Sequence, residues 1–462
     1  MEFEKISGKW EEFLKDEARL KGNAAWICFP KTKEEAVEAF AFGREHRRKI
    51  TLQGGRTGLA GGAVPQGGLI VNFSRMTGLG EVMPQADGSA LLDAEAGVTL
   101  DALIRKAAPY VFPPNPTEKT AELGGLFATG ACGPRGLSCG PVSSSVERLT
   151  WLTPDGEIWE IHRGDCVGKN GTMVLPNGRE IPCPHGLDLI DYLSCGEGTI
   201  GAALSFRLRL QRKVRDLWSL CFFLEDQNQA EAFYEAVRDT KNLRLRSGEF
   251  YDHGALELLR RNSLHPLLKG LPSVPGRAAV NLCLEGREEE TETMLGALLD
   301  LFEACGGKEE NSWAENGLQA EEKFLSLRHG LTTILGEMPE ITDDAGLRWE
   351  ADFRGPADQF PVFLKGCQTL LAEAGISGAI YGHMLENSLH CALLPETEEE
   401  KQAAPGLLRK IGEFAVEHGG SVCSEYGIGS LGLSRYGNLL PREPGSLAEK
   451  KRILAPQNLL GF

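Results

Sequence analysis

No Cys-x-x-Cys pair occurs among the twelve cysteines, which stand singly at 28, 132, 139, 166, 183, 195, 221, 283, 305, 367, 391 and 423. That spacing argues against an iron–sulfur cluster held by the chain itself. No stretch approaches the ~18 consecutive apolar residues of a membrane-spanning helix, and the opening MEFEKISGKWEEFLKDEARLKG is charged and lacks an apolar signal core. These absences predict a cytoplasmic protein with reduced thiols and no integral membrane segment. Positive charge is also short: 49 Lys and Arg face 65 Asp and Glu, a net charge of −16. Nucleic acid and anionic membrane surfaces are therefore excluded as expected partners, whereas a small anionic substrate is not, because a site is local and net charge is global. The acidic excess falls in runs such as Glu285–Glu292 and Glu396–Glu400, which read as solvated helix faces and loops. Repeats of fixed period and low-complexity tracts are missing too.

What is present is glycine in one place. Seven glycines lie in the sixteen residues Gln53 to Gly68, QGGRTGLAGGAVPQGG, between strand candidates at Ile50–Leu52 and Leu69–Phe73. Glycine reaches positive φ without steric cost and lets backbone amides approach a ligand, so this loop reads as a cradle for a pyrophosphate. A flexible linker is the alternative, but Leu59, Ala63, Val64 and Pro65 are not linker residues.

At 462 residues, with 25% charged and 42% hydrophobic residues, the chain has room for two or three domains of ordinary soluble composition. Strand 24–29 leads into a helix opened by the capping pattern Thr32/Glu35. Ser89–Val98 reads as a strand and Leu100–Ala107 as a helix; Pro113, Pro114 and Pro116 enforce an extended segment. Glu147–Ile161 forms a hairpin turned at Pro154-Asp155-Gly156, and Arg163–Gly186 a surface excursion. Leu204, Phe206, Leu208 and Leu210 alternate with polar residues as a strand that closes the first region. From Leu217 onward, strand-like runs (217–224, 278–285, 376–382, 389–394) alternate with helical ones (227–240, 287–304, 357–374, 398–418), an α+β texture that sets a boundary near 212.

GxGxxG occurs at Gly196–Gly201 and at Gly427–Gly432. The dinucleotide fingerprint needs a strand before it and a helix after it. The first match runs into the strand at 204–210 and the second is expected to precede an irregular stretch, so neither reads as a Rossmann site.

Taken in order, the glycine loop, FPPNPTEKTAELGGLFATGACGPRG (112–136), CGEGTIG (195–201), YGHMLENSLH and SEYGIG resemble flavoproteins of the vanillyl-alcohol oxidase type. The resemblance spans nearly the whole chain and lies in the branch of glycolate oxidase large subunits and D-lactate or D-2-hydroxyglutarate dehydrogenases. It implies an α+β fold: a PCMH-type FAD-binding domain of two α+β subdomains (1–211), an α+β substrate domain with an antiparallel sheet (212–418), and a C-terminal segment returning to the flavin (419–462). It places Gly54, Gly55, Arg56, Thr57, Gly58 and Leu59 around the FAD pyrophosphate. Pro114, Gly124, Gly125, Ala128, Thr129 and Gly133 would line the middle of the cofactor, and Glu197, Gly198 and Ile200 its adenosine or ribose end. Ordinary tight packing is the alternative for Ala128 and Thr129. No Cys or His stands where a covalent flavin link would be obliged.

At the reacting end the resemblance implies a divalent metal (Zn, Fe or Mn) on His383, His390 and Glu425, two imidazoles and a carboxylate with an open position. The family's GHxGDGNxH is altered here, with Leu385, Glu386, Asn387 and Ser388 between the histidines. Tyr426 stands where the family has the histidine of EHGIG, usually assigned as general base. A phenol titrates near ~10 and is a poor base unless a cation supports its anion, so base, acid and hydrogen-bond donor stay open as roles. Arg328 and Arg348 match positions that hold the substrate carboxylate, Arg348 in place of a lysine; a solvent-facing Arg328 is the alternative. Glu249 and Asp252 of GEFYD follow the family pattern and are expected to organise the domain interface. The closing Asn-Pro-Gly-Lys of the family is missing.

The function so implied is an FAD-dependent dehydrogenase that oxidises a D-2-hydroxy acid of the lactate or glycolate kind to the 2-oxo acid, hydride going to flavin N5. Electrons would pass to a partner, an iron–sulfur subunit, an electron-transfer flavoprotein or a quinone-linked protein. Two alternatives stand beside it. One is different flavin chemistry on the same scaffold with Tyr426 as acid/base, since related ether-lipid synthases use a tyrosine there. The other is a non-catalytic, electron-relaying flavin subunit of a larger complex.

Overall fold

The computed structural model describes residues 1–213, 216–269, 271, 274–338, 342, 348–443 and 445–462. The chain gathers into two compact units: Met1–Gly133, Cys139–Lys213 and Glu425–Phe462 form one, Pro134–Ser138 and Val214–Ser424 the other. The fold is α+β throughout.

The first unit contains two main sheets. In the smaller, Glu4–Lys5, Trp26–Cys28, Leu69–Asn72 and Ile50–Gln53 lie in that order, the last three parallel. Leu69, Ile70 and Val71 are fully buried, as a central parallel strand requires. The helix Lys33–Glu45 connects the first two of its parallel strands in sequence, with Thr32 Oγ1 capping the Glu35 amide. The second sheet is antiparallel, ordered Met83–Pro84, Ala90–Glu95, Ala202–Arg212, Val146–Leu152, Ile158–His162, with Tyr110–Val111 also paired to Ala202–Arg212. The alternation at 204–210 follows the register: Leu208 and Leu210 are fully buried, while Arg207 forks onto Asp93 at 2.8 and 2.7 Å.

Two expectations need correction here. The excursion at 163–186 carries a small hairpin, Thr172–Val174 against Glu180–Pro182, anchored by buried Met173, Leu175, Ile181 and Cys183. The second GxGxxG itself enters a helix, Gly429–Tyr436, whose start is held by the Glu197 carboxylate, and the irregular stretch follows only from Gly437.

The second unit is built on one eight-stranded antiparallel sheet, in the order Ser312–Asn316, Asp216–Leu224, Ala278–Gly286, Leu245–Tyr251, Ser377–His383, Ser388–Leu394, Glu350–Arg354, Ser421–Val422. Residues of Asp216–Leu224 alternate between faces. Leu220, Phe222 and Leu224 pack with helices Gln227–Asp239 and Glu288–Ala304, while Cys221 and Phe223 pack with His253–Arg261 and Leu318–Glu337. Strands Leu245–Tyr251, Ser312–Asn316 and Glu350–Arg354 escaped the sequence reading because polar residues interrupt their hydrophobic pattern.

One buried ionic cluster helps fix this unit. Glu321 accepts from Arg135 at 2.9 and 2.6 Å and from Arg246 at 3.0 Å, and Arg246 also reaches Glu285. Glu321 is 2% exposed. Burial pushes its carboxyl upward, but hydrogen bonds and charge from Arg135 and Arg246 outweigh that and hold it below the ordinary glutamate range. Replacing Glu321 by alanine takes a shared buried carboxylate from Arg135 and Arg246 and leaves Arg246 with Glu285, a loss of about 3–5 kcal/mol, measurable by denaturant unfolding. A carboxylate depressed on folding stabilises above its unfolded pKa, so the Glu321 contribution is full above about pH 5 and fades as pH falls through the lowered folded value. The difference between the parent protein and Glu321→Ala should narrow accordingly in acid.

Candidate active site

The first unit contains a cavity of about 1090 Å³, counted with the solvent at its open mouth. Its wall is chiefly backbone and small side chains. Gly54, Gly55, Arg56, Thr57 and Gly58 come from the glycine loop, Gly124, Gly125, Ala128 and Thr129 from the helix Leu123–Ala128 and its cap, and Glu197 and Gly198 from the turn before Ala202. Tyr426 completes this lining.

Buried polar side chains at the strand ends give the loop its shape. Gln53 and Asn72 sit opposite each other in the parallel register. Gln53 Nε2 donates to the Phe13 and Ala63 carbonyls at 2.8 and 2.7 Å, and Asn72 Nδ2 donates to the Gly54 carbonyl at 3.2 Å. Arg56, at φ +59°, stacks 4.0 Å over Phe13 and donates to the Glu12 carbonyl at 2.6 Å. The Arg56, Gly58 and Ala60 carbonyls accept from the amides of Glu17, Ala18 and Leu431. The loop is thus tied down along its length.

Of the residues expected around the cofactor, Leu59, Pro114, Gly133 and Ile200 are not on this wall. Gly133, at φ +71°, backs onto the Asn115 carbonyl, which a Cβ would meet at 2.2 Å. Ile200 is fully buried in the hydrophobic core beneath. Glu197 lines the cavity, yet its two carboxylate oxygens accept from the Ile428 and Gly429 amides, each at 2.8 Å. That contact starts the helix Gly429–Tyr436 and engages its first free amides with a carboxylate. Gly427, at φ +84°, permits the approach. Burial raises the Glu197 pKa and these two amide bonds oppose the rise.

In the second unit, antiparallel register brings Glu249, Tyr381, His383, His390, Glu350 and Asp352 onto one face of the sheet. Glu249 Oε1 lies 2.6 Å from His383 Nδ1. Arg328, on the helix Leu318–Glu337, is 5% exposed rather than solvent-facing; its guanidinium lies 4.5 Å over the Tyr381 ring and 3.9 Å from Glu249. The Tyr381 hydroxyl donates to Glu350, and Arg348 is 3.7 Å from the same carboxylate. Asp352 accepts from Ser424 at 2.7 Å. Tyr381, Glu350 and Asp352 were missed in the sequence, although Glu350 and Asp352 two apart in WEADF put two carboxylates on one face of a strand. Asp252 caps the helix His253–Arg261 through the Ala255 amide at 2.9 Å, a local task. Between the histidines, Asn387 takes φ +48° in a tight turn and donates to the Pro356 carbonyl at 2.8 Å.

His383 and His390 belong to the second unit and Glu425 to the first. Among the described residues no group of three or more His, Cys, Asp or Glu side chains is placed to hold a metal ion. The metal expectation therefore finds no support among the described residues.

The profile of the FAD-binding domain matches residues 24–162, and that of the C-terminal domain of FAD-linked oxidases matches residues 219–461. The chain belongs to the family of FAD-linked oxidases. The vanillyl-alcohol-oxidase-type resemblance is thereby established. The enzyme is similar to D-lactate dehydrogenase of Archaeoglobus fulgidus, at 27% identity over 94% of this chain and 89% of that one. It is similar to D-2-hydroxyglutarate dehydrogenase of Xanthomonas citri pv. viticola, at 24% identity over 95% and 88%, and to glycolate oxidase subunit GlcD of Bacillus subtilis, at 23% over 94% and 87%. Solved structures of alkyldihydroxyacetonephosphate synthase share its fold, with TM-score 0.60 at 13% identity over 96% of this chain and 76% of that one.

The cavity of this FAD-linked oxidase suits a long flat dinucleotide because its wall lacks side chains where the cofactor has to lie close. Gly125 tests that fit: a Cβ there meets no atom within 4 Å and the residue lines the cavity. Gly125→Leu should leave the melting temperature of flavin-free protein within a few degrees of the parent while abolishing the flavin absorbance of the purified enzyme; parent-level flavin content in that variant would place the cofactor elsewhere.

Proposed function

We propose that this FAD-linked oxidase oxidises a small D-2-hydroxy acid of the lactate or glycolate kind to its 2-oxo acid and delivers the electrons to a partner protein. The observation that carries the reading is coextensive similarity: relatives named for D-lactate, D-2-hydroxyglutarate and glycolate each align over at least 94% of the chain. The polar face of the second unit supports it. Arg328 and Arg348 offer two guanidiniums, whose planar fork suits a carboxylate. When bound, FAD supplies the hydride acceptor.

The hydroxyl proton has to leave as hydride departs. Tyr426, on the cofactor cavity, is put forward as the acid–base group. A phenol starts near ~10, so turnover through Tyr426 should climb with pH across the neutral range. His383 is the second candidate: with Glu249 accepting from Nδ1–H, Nε2 is left as the basic nitrogen of the ring. The chain holds no Cys pattern for a metal cluster, which is why a separate electron acceptor is proposed, an iron–sulfur subunit or electron-transfer flavoprotein.

Two departures favour a second reading, altered flavin chemistry or electron relay on the same scaffold: Tyr426 itself and the Leu385–Ser388 turn. Steady-state turnover with an artificial dye as acceptor separates the cases. D-Lactate or glycolate should be oxidised well above the L-lactate background, and Tyr426→Phe should lower kcat at least ~100-fold with flavin content unchanged. If Tyr426→Phe turns over normally and Glu249→Gln carries the loss, the proton belongs to His383. Absence of turnover with every D-2-hydroxy acid would favour the second reading.

A further inference from the structure

Glu122 is a buried carboxyl that the proposed reaction does not use. It is 6% exposed, lines the cofactor cavity, and its Oε2 has no hydrogen-bond partner among the described residues. It occupies the cap position of the helix Leu123–Ala128, but its side chain makes no capping bond. The carboxyl turns instead toward the glycine loop: a Cβ on Gly54 would lie 2.9 Å from Oε2 and 3.3 Å from the Glu122 Cβ. The absence of a side chain at Gly54 is thus what lets a carboxyl stand between the glycine loop and the helix Leu123–Ala128, on the cavity wall.

The charged groups around it are few. Arg56, from the glycine loop, is the cation whose field reaches Glu122. Glu197, on the same cavity, is engaged by the Ile428 and Gly429 amides, and Tyr426 lines the same wall. In the segment before it, Lys119 donates to Asn115 Oδ1 and the Pro116 carbonyl, and Glu118 accepts from Thr120. Burial raises the Glu122 pKa to about 7, against a smaller opposing pull from Arg56.

We propose that Glu122 contacts FAD directly as a neutral carboxylic acid, its Oε2–H donating to an acceptor oxygen of the cofactor, so that binding FAD takes up a proton at this residue. The chemistry follows from what each state offers. FAD presents phosphate and carbonyl oxygens, and its diphosphate is doubly anionic. A protonated carboxyl gives these oxygens a donor, whereas a carboxylate in the same buried place gives a second acceptor and a repelling charge. The proton comes from solvent, and no covalent bond changes. The proposal is independent of which hydroxy acid the enzyme oxidises.

The test is FAD binding to the full-length chain stripped of flavin, by titration calorimetry between pH 6 and 8.5 in two buffers of different ionisation enthalpy. The dissociation constant should be nearly flat below the folded pKa of the free site and rise about tenfold per pH unit above it, with close to one proton taken up per FAD at pH 8.5. Glu122→Gln, which keeps a donor and loses the titration, should bind FAD with little pH dependence and no such uptake. A dissociation constant that falls as pH rises, or uptake near zero at pH 8.5 in the parent protein, would overturn the proposal without recourse to the variant. Equal pH dependence in Glu122→Gln and the parent would overturn it as well.

Discussion

A flat, charged cofactor can lie against backbone only where side chains are missing, and backbone without side chains has to be held in shape by something else. The first unit depends on that constraint. Gly54, Gly55 and Gly58 clear the wall, and Gln53, Asn72 and Arg56 supply the rigidity that glycine forfeits, through bonds to the Phe13, Ala63, Gly54 and Glu12 carbonyls. The loop is therefore a fixed surface despite its composition. Glu197 serves the same end at the other side of the cavity, where its two oxygens organise the backbone at Ile428 and Gly429.

The second unit answers a different problem: how to place polar, charged side chains on one face of a sheet whose other face carries a hydrophobic core. Strand register settles it. Because the side-chain period is two, placing Phe250, Ile380 and Leu389 toward one hydrophobic core commits Glu249, Tyr381 and His390 to the other face. The cost of burying those groups is offset by pairing them, Glu249 with His383 and Glu350 with Tyr381. Ordered charges of this kind cost stability in isolation and are useful where a small anion has to be gripped.

Much of this was legible in the sequence because the motifs that touch a flavin are made of small residues at fixed spacing. The glycine loop and the LGG start of the helix Leu123–Ala128 identify the family, and the alternation at 204–210 fixes a central strand of the second sheet. What could not be read has a physical reason. Strand Leu245–Tyr251 carries Arg246, Ser247 and Glu249 inward, so a search for apolar alternation passes over it. That Glu197 also holds the Ile428 and Gly429 amides could not be read, because sequence spacing holds no record of a contact over that distance. Glu122 was passed over because a glutamate before a glycine pair reads as a surface residue until the loop that buries it is in place. Metal binding, inferred from two histidines and a glutamate, has no cluster of ligands among the described residues behind it.

The central claim is that this FAD-linked oxidase takes hydride from a D-2-hydroxy acid. An anaerobic visible spectrum of the purified enzyme, recorded before and after adding D-lactate, glycolate and D-2-hydroxyglutarate in turn, addresses it without need of an electron acceptor. Bleaching of the flavin band by one of the three within the mixing time is the result the account predicts. A yellow enzyme that dithionite bleaches and none of the three acids does would contradict it.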